Sequence, residues 1–355
     1  MSERPRFRVE PILQPQPVEM PSELGPRRLL KRTLQILAVL AVVALVLLLT
    51  PGLGQFRDRL REAQPGWLVV AVVFEALSCL SYVALFKPIF CRHMPWRTSW
   101  EIGWAELGMG SIVPASGIGG LALGAWILRQ GGMSAERIAR RSVAFFLIKS
   151  SVNFVAVAIV GAVMWLGVGP HFSFWLTGFL ALGAAACIAV VLLVPRFGPG
   201  SGPPPDAGRV RRAVSASRRA LITGTSEAVS IVRNGEALVV LGSIGYWAWD
   251  NATLWATFHA FGYSPPITVI LMGYLIGQMG GLLPLPGGLG GIDGGLIGVF
   301  VVYGAPLTIT AAAVLAYRVI LFWLPLLVGG AAFISLRRGL NQPDRPDLCV
   351  VPSAG

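Results

Sequence analysis

Five ionisable side chains interrupt long apolar stretches of this 355-residue chain. Glu75 lies in "FEALSCLSYVALF", Asp250 in "YWAWDNATLW", Lys149 in "FFLIKSSVNF" and Arg318 in "VLAYRVILF", and Asp293 follows the glycine-rich "GGLGG". Ionisable groups at bilayer depth cost several kcal/mol unless they are paired or hydrated, so they mark binding sites by default. A guanidinium can grip two phosphate oxygens, and a carboxylate suits a positive group. These side chains predict a site for a charged or zwitterionic ligand.

Each of these residues also has a structural interpretation. Asp250 would pair with Arg318, and Glu75 occupies the corresponding position in an internal repeat described below. Asp293 would be an ordinary acid in the first turn of a helix, favoured by the helix dipole. Arg318 and Lys149 would extend their charged ends to the membrane surface. Both interpretations stay open at the level of sequence.

The remaining polar residues give no catalytic or metal-binding pattern. Arg129 ends a broken segment near cytoplasmic headgroups, where a topological role and a binding role are equally compatible with its position. Glu101 and Glu106 read as a solvated interfacial face. Three histidines without metal spacing, four scattered cysteines, and no nucleophile elbow or phosphate loop indicate a protein that is not an enzyme and holds no metal or cofactor.

Composition indicates a membrane protein with several spans. The chain is 54% hydrophobic and only 13% charged, far from soluble usage. About six windows reach the roughly 17–25 apolar residues that a crossing needs: 34–50, 67–86, 142–166, 172–194, 237–263 and 309–336. The formal charge of +12 lies in loops between spans, which favours contact with lipid over nucleic acid.

Two further apolar stretches, 99–130 and 267–303, are each broken by proline and glycine. Irregular backbone is tolerated at membrane depth only inside protein or beside a wet cavity. Each stretch therefore predicts a re-entrant helical hairpin. The residues that make the breaks are Pro114, Gly117, Gly119 and Gly120 in the first, and Pro284, Pro286, Gly287, Gly288, Gly290 and Gly291 in the second.

Loop charges predict the orientation. Basic residues cluster before the first span and in the loops 87–97, 129–141 and 195–236, and they follow the last span, so these segments are predicted to be cytoplasmic. The loop 51–66 also carries three arginines although this scheme places it outside. The first broken stretch then has cytoplasmic flanks and the second external flanks, so the hairpins enter from opposite sides.

The chain repeats itself. "GSIVPASGIGG" matches "GGLLPLPGGLGG", a turn glycine and a helix follow each break, and a helix with a buried acid precedes each. We predict an all-α polytopic membrane protein with two inverted repeats, A (67–166) and B (237–336), a plan that recurs in transporters. The membrane domain covers 31–338, between a disordered cytoplasmic N-terminal tail, 1–30, and a cytoplasmic C-terminal tail, 339–355.

The segment 282–330, beginning "LLPLPGGLGGIDGG", resembles the hallmark of the lysylphosphatidylglycerol synthase transmembrane region, or flippase-like family, and 110–134 is similar to its first hallmark. The resemblance implies a bacterial plasma-membrane protein that moves lipid headgroups. It places Asp293 where the family commonly has a glutamate and matches Arg318 to a family arginine. Lys149 and Asn153 depart from the acidic and arginine pair usual after the first break.

Sequence alone therefore favours translocation of an anionic or zwitterionic phospholipid between leaflets. In this scheme Arg318 and half-helix N-termini face the phosphate, and Asp250 or Glu75 faces the positive group. The alternatives are a proton-coupled transporter of a small solute and a non-enzymatic membrane partner of a lipid-modifying enzyme. An enzyme acting on lipid-linked sugar has no catalytic residues to support it.

Overall fold

The structure is a computed structural model that describes residues 60–112, 118–168, 172–198, 208–278 and 291–340, with single residues 31, 34, 58 and 170. Within these residues there are ten α-helices and no strand. The helices are α1 (Pro65–Phe90), α2 (Trp96–Ile112), α3 (Ile118–Gln130), α4 (Ala135–Trp165), α5 (Gly178–Leu193), α6 (Arg209–Arg233), α7 (Ala237–Ala260), α8 (Ile267–Gln278), α9 (Gly291–Val302) and α10 (Leu307–Leu340).

Several predictions concern residues outside the described ranges. These are the tail 1–30, the first span 34–50 except residue 34, residues 341–355 of the tail 339–355, and the break residues Pro114, Gly117, Pro284, Pro286, Gly287, Gly288 and Gly290. Gly119 and Gly120 fall in the first turn of α3, and Gly291 begins α9.

The all-α membrane architecture is confirmed. Four segments, Pro65–Phe90, Ala135–Trp165, Phe174–Phe197 and Leu307–Arg338, are each long and apolar enough to cross a membrane. They correspond to four of the six predicted windows. The window 237–263 forms α7. Helices α6 and α7 are long and apolar enough for a span when they are taken as a pair, and the angle between them is 102°.

Each broken stretch forms two short helices that pack against each other, α2 on α3 and α8 on α9. Helices α8 and α9 have 12 residues each, about 18 Å, against a hydrocarbon core of about 30 Å. Gly120 lies against the backbone of Glu106, and Gly295 lies against Gly277, so in both pairs the arms meet beside the break. This is the geometry of a helical hairpin.

The inverted arrangement follows from the helices that begin the two repeats. The N-terminal end of α1 meets the C-terminal end of α7, where the Gln64 N–H donates to the Ala260 carbonyl over 2.9 Å. At the other end, Arg92 pairs with Glu236 at 3.0 Å. Helices α1 and α7 are therefore antiparallel. Because each hairpin begins at the C-terminal end of one of these helices, the two hairpins start at opposite ends of the bundle.

Packing between the repeats is reciprocal. Helix α2 of repeat A packs on α10 of repeat B, and α8 of repeat B packs on α4 of repeat A. The turns that lead into α4 and α10 contain Gly132 with φ 86° and Gly304 with φ 90°, a left-handed conformation that favours glycine. The turn glycines predicted to be equivalent thus adopt the same conformation.

Candidate functional site

The acids Glu75 and Asp250 lie at one level of the α1 and α7 crossing. Phe74 stacks on Trp249 with ring centroids 5.4 Å apart, and the two acids follow these rings in sequence. Each acid is only 5% exposed. Ser78 fixes the next level by donating to the Tyr246 carbonyl over 3.0 Å. The antiparallel crossing therefore places one acid of each repeat in the interior of the bundle.

Asp250 is held by two tyrosines of its own repeat. The Tyr317 hydroxyl of α10 donates to Oδ1 over 2.7 Å, and the Tyr274 hydroxyl of α8 donates to Oδ2. Both rings are buried. Neither tyrosine was predicted as a site residue, because a hydroxyl partner from another helix leaves no local signal in the sequence.

Arg318 forms an ion pair with Asp293. The Arg318 Nε and Asp293 Oδ1 atoms are 2.5 Å apart, and the side chains are 17% and 23% exposed. Asp293 lies in the first turn of α9, directly after the second break. The ion pair of Arg318 found among the described residues is with Asp293, whereas Asp250 accepts hydrogen bonds from two tyrosines; the pairing of Arg318 with Asp250 stays a prediction.

Glu75 has fewer partners. The Cys79 thiol donates to Oε1 over 3.4 Å, a long contact to a weak donor. The other oxygen, Oε2, is buried and has no hydrogen-bond partner among the residues the structure describes. A buried carboxylate oxygen without a donor is costly, so this atom is the natural position for a positive group of a ligand or for a proton.

Lys149 extends into a group of aromatic rings. Its Nζ lies 5.3 Å from the ring centroid of Tyr246, 5.7 Å from that of Tyr82 and 6.0 Å from that of Phe146. These are cation–π distances. None of the ion pairs found in the described part of the chain involves Lys149. Lys149 is thus a half-buried residue whose ammonium lies beside aromatic rings and within ion-pair distance of no carboxylate in the described part of the chain.

Glu106 was predicted on a solvated face, and this prediction is wrong. Its side chain is 3% exposed, and the Tyr82 hydroxyl donates to Oε2 over 2.8 Å. The carboxylate fills the space above Gly124 on the other hairpin arm, where an added Cβ would collide with it. A signal was present, because five residues from Glu101 turn a helix by roughly 140° and separate the two side chains.

Arg129 does not join these residues. It is exposed in the last turn of α3, at the base of the first hairpin. Its predicted binding role remains untested. No group of three or more histidine, cysteine or acidic side chains suited to a metal occurs within the described ranges.

Comparison with known proteins agrees with this architecture. A family model described as the lysylphosphatidylglycerol synthase TM region matches residues 35–329. The chain belongs to this family. Membership makes it a multi-pass membrane protein with a lipid-related function. The UPF0104 membrane protein of Methanothermobacter thermautotrophicus is 33% identical over 93 residues, which are 26% of this chain and 26% of that relative.

Proposed function

We propose that this protein moves phospholipid headgroups between leaflets of the bacterial plasma membrane, with both termini in the cytoplasm, and that it performs no covalent chemistry. The supporting observation is a pair of opposite charges in the bundle, Glu75 and Lys149, that take part in no ion pair found among the described residues. Glu75 Oε2 has no donor among the residues that the structure describes, and Lys149 Nζ lies over three aromatic rings. Arg318 and Asp250, by contrast, are each engaged by side chains of repeat B.

The spacing of these two charges suits one headgroup. Glu75 and Tyr82 are seven residues apart on one stripe of α1, so their Cα atoms are about 10 Å apart. The Lys149 ammonium lies over the Tyr82 ring. A phosphate at Lys149 and an amine at Glu75 would place the two ends of a zwitterionic headgroup along this stripe. This assignment gives Lys149 the phosphate contact predicted from sequence for Arg318.

The free-energy cost of burying unpaired charges favours a site with a bound headgroup. A charge at bilayer depth costs several kcal/mol when it is neither paired nor hydrated, and an unpaired buried charge in a bundle is strongly destabilising. One zwitterionic ligand satisfies both Glu75 and Lys149 at once. A lipid without charged groups would not satisfy them.

The site has a route from the bilayer. Lys149 is half-buried, and Phe146, one turn before it on α4, is 51% exposed on the outer surface of the bundle. A headgroup entering beside Phe146 would reach Lys149 while its acyl chains stayed in the bilayer. Inverted repeats with hairpins from opposite ends supply the two arrangements that alternating access requires.

The test is leaflet exchange of a fluorescent phospholipid in vesicles that contain the purified protein. Lys149→Met and Glu75→Gln should each lower the exchange rate by roughly tenfold or more, because each removes a charge-assisted contact of about 1.5–3 kcal/mol. Lys149→Arg should retain most of the activity. The matched control is Lys87→Met, since Lys87 also lies over a ring, Trp96 at 4.4 Å, but at the end of α1.

Unchanged exchange in both Lys149→Met and Glu75→Gln, with the protein folded, would contradict the proposal. Uptake of a soluble ion without any lipid exchange would support the proton-coupled transporter instead. If the variants lost neither lipid exchange nor ion uptake and still bound a lipid-modifying enzyme, the result would support the partner role.

A further inference from the structure

The arginine-rich segment 195–236, predicted as a cytoplasmic loop, contains a helix of 25 residues, α6. Helix α6 is bent by 102° from α7, so it lies across the direction of the spanning helices. It contacts the turn Val194–Phe197 at the end of α5 and packs on α4. This geometry is that of a helix lying along the membrane surface.

One face of α6 is largely apolar. Val210, Val214, Leu221, Ala228 and Val232 recur at spacings of four and seven residues and so share a face. In the C-terminal half the bundle covers Ala228, which is 5% exposed, whereas Val232 in the last turn is 48% exposed. The N-terminal half continues the same face beyond the bundle, with Val210 78%, Val214 63% and Leu221 54% exposed.

Arginines border this uncovered face. Arg211 and Arg218 are exposed, and at 100° per residue they lie roughly 60–80° from the centre of the apolar face. Neither takes part in an ion pair found among the described residues. The acid of the helix, Glu227, is occupied by Arg140 at 2.8 Å and Arg141 at 2.7 Å on α4. Two cationic side chains therefore flank exposed valine and leucine.

We propose that the N-terminal half of α6 binds the anionic lipid surface of the leaflet beside it, with Val210, Val214 and Leu221 below the headgroups and Arg211 and Arg218 on lipid phosphates. Exposed apolar residues beside arginines on a helix parallel to the membrane fit this occupant. The charge of the helix selects an anionic lipid over a zwitterionic one. The two ion pairs of Glu227 hold the helix against α4 in that position.

The test uses the full-length protein in nanodiscs with a fluorescent amino acid at Val214, and a matched probe at Ser230, which is exposed on the opposite face of the same helix. Spin-labelled lipid should quench the Val214 probe several-fold more than the Ser230 probe. Quenching should increase when phosphatidylglycerol is mixed into phosphatidylcholine, and high salt should reverse that increase.

Arg211→Gln with Arg218→Gln should reduce the preference for phosphatidylglycerol by about fivefold for each arginine, whereas lysine at both positions should keep it. Equal quenching of the two probes would overturn the proposal and would favour a protein on this face. Quenching of Val214 that ignores phosphatidylglycerol would overturn the anionic selection. Leaflet exchange is a separate measurement, so either proposal can fail alone.

Discussion

Replacing Tyr317 by phenylalanine tests the arrangement around Asp250. The change removes one hydroxyl and leaves the fully buried ring in place. That hydroxyl donates to the buried carboxylate over 2.7 Å, and a hydrogen bond to a charged group contributes about 1.5–3 kcal/mol. Equilibrium unfolding in mixed micelles should show the free energy of unfolding lowered by this amount, roughly a 10- to 150-fold change in the ratio of folded to unfolded protein.

The matched control is Tyr303→Phe, which removes a hydroxyl bonded to the Leu176 carbonyl over 2.8 Å. This neutral hydrogen bond should contribute only about 0.5–1.5 kcal/mol. In an Asp250→Asn background, the loss caused by Tyr317→Phe should fall toward the control value. Suppose that Tyr317→Phe lowered the free energy of unfolding no more than Tyr303→Phe does, and that this loss did not change in the Asp250→Asn background. A charge-assisted hydrogen bond from Tyr317 to Asp250 would then be refuted.

Three further predictions concern the hairpins and their ion pair. Gly124→Leu should lower folded yield strongly, because the side chain would displace a buried carboxylate, whereas Gly183→Leu, with open space around it, should not. Arg318→Gln or Asp293→Asn alone should lower the thermal unfolding temperature, and the double variant should recover much of that loss. A double variant that recovered none of it would contradict the ion pair. Cysteines at the two hairpin tips should label from opposite sides of the membrane; labelling of both from one side would exclude inverted hairpins.

Much of the fold was predictable because the bilayer imposes simple rules. Apolar length identified the spans, and the proline and glycine breaks identified the hairpins, since neither continues a long apolar helix. The inverted relation followed from loop charge alone. Helix α6 was read as loop because its arginines were counted for orientation, although Val210, Val214 and Leu221 already marked an apolar face.

The partners within the site were less predictable. Acids and bases were recognisable from their apolar surroundings, but choosing between Asp250 and Asp293 for Arg318 depends on how α9 packs on α10. Glu106 was misplaced because its burial depends on the glycines of the opposite hairpin arm. Tyr274 and Tyr317 are 24 and 67 residues from Asp250 in sequence, and only the tertiary structure brings their hydroxyls to its carboxylate.

Lipid mass spectrometry on the gently purified protein tests the headgroup site most directly. The wild-type protein should retain a phospholipid that carries both a phosphate and an amine. Lys149→Met and Glu75→Gln should lower its occupancy by roughly tenfold or more, and Lys149→Arg and Lys87→Met should leave it near the wild-type value. Equal occupancy by the same lipid in all five proteins would contradict the assignment of Lys149 and Glu75 as the two ends of the site.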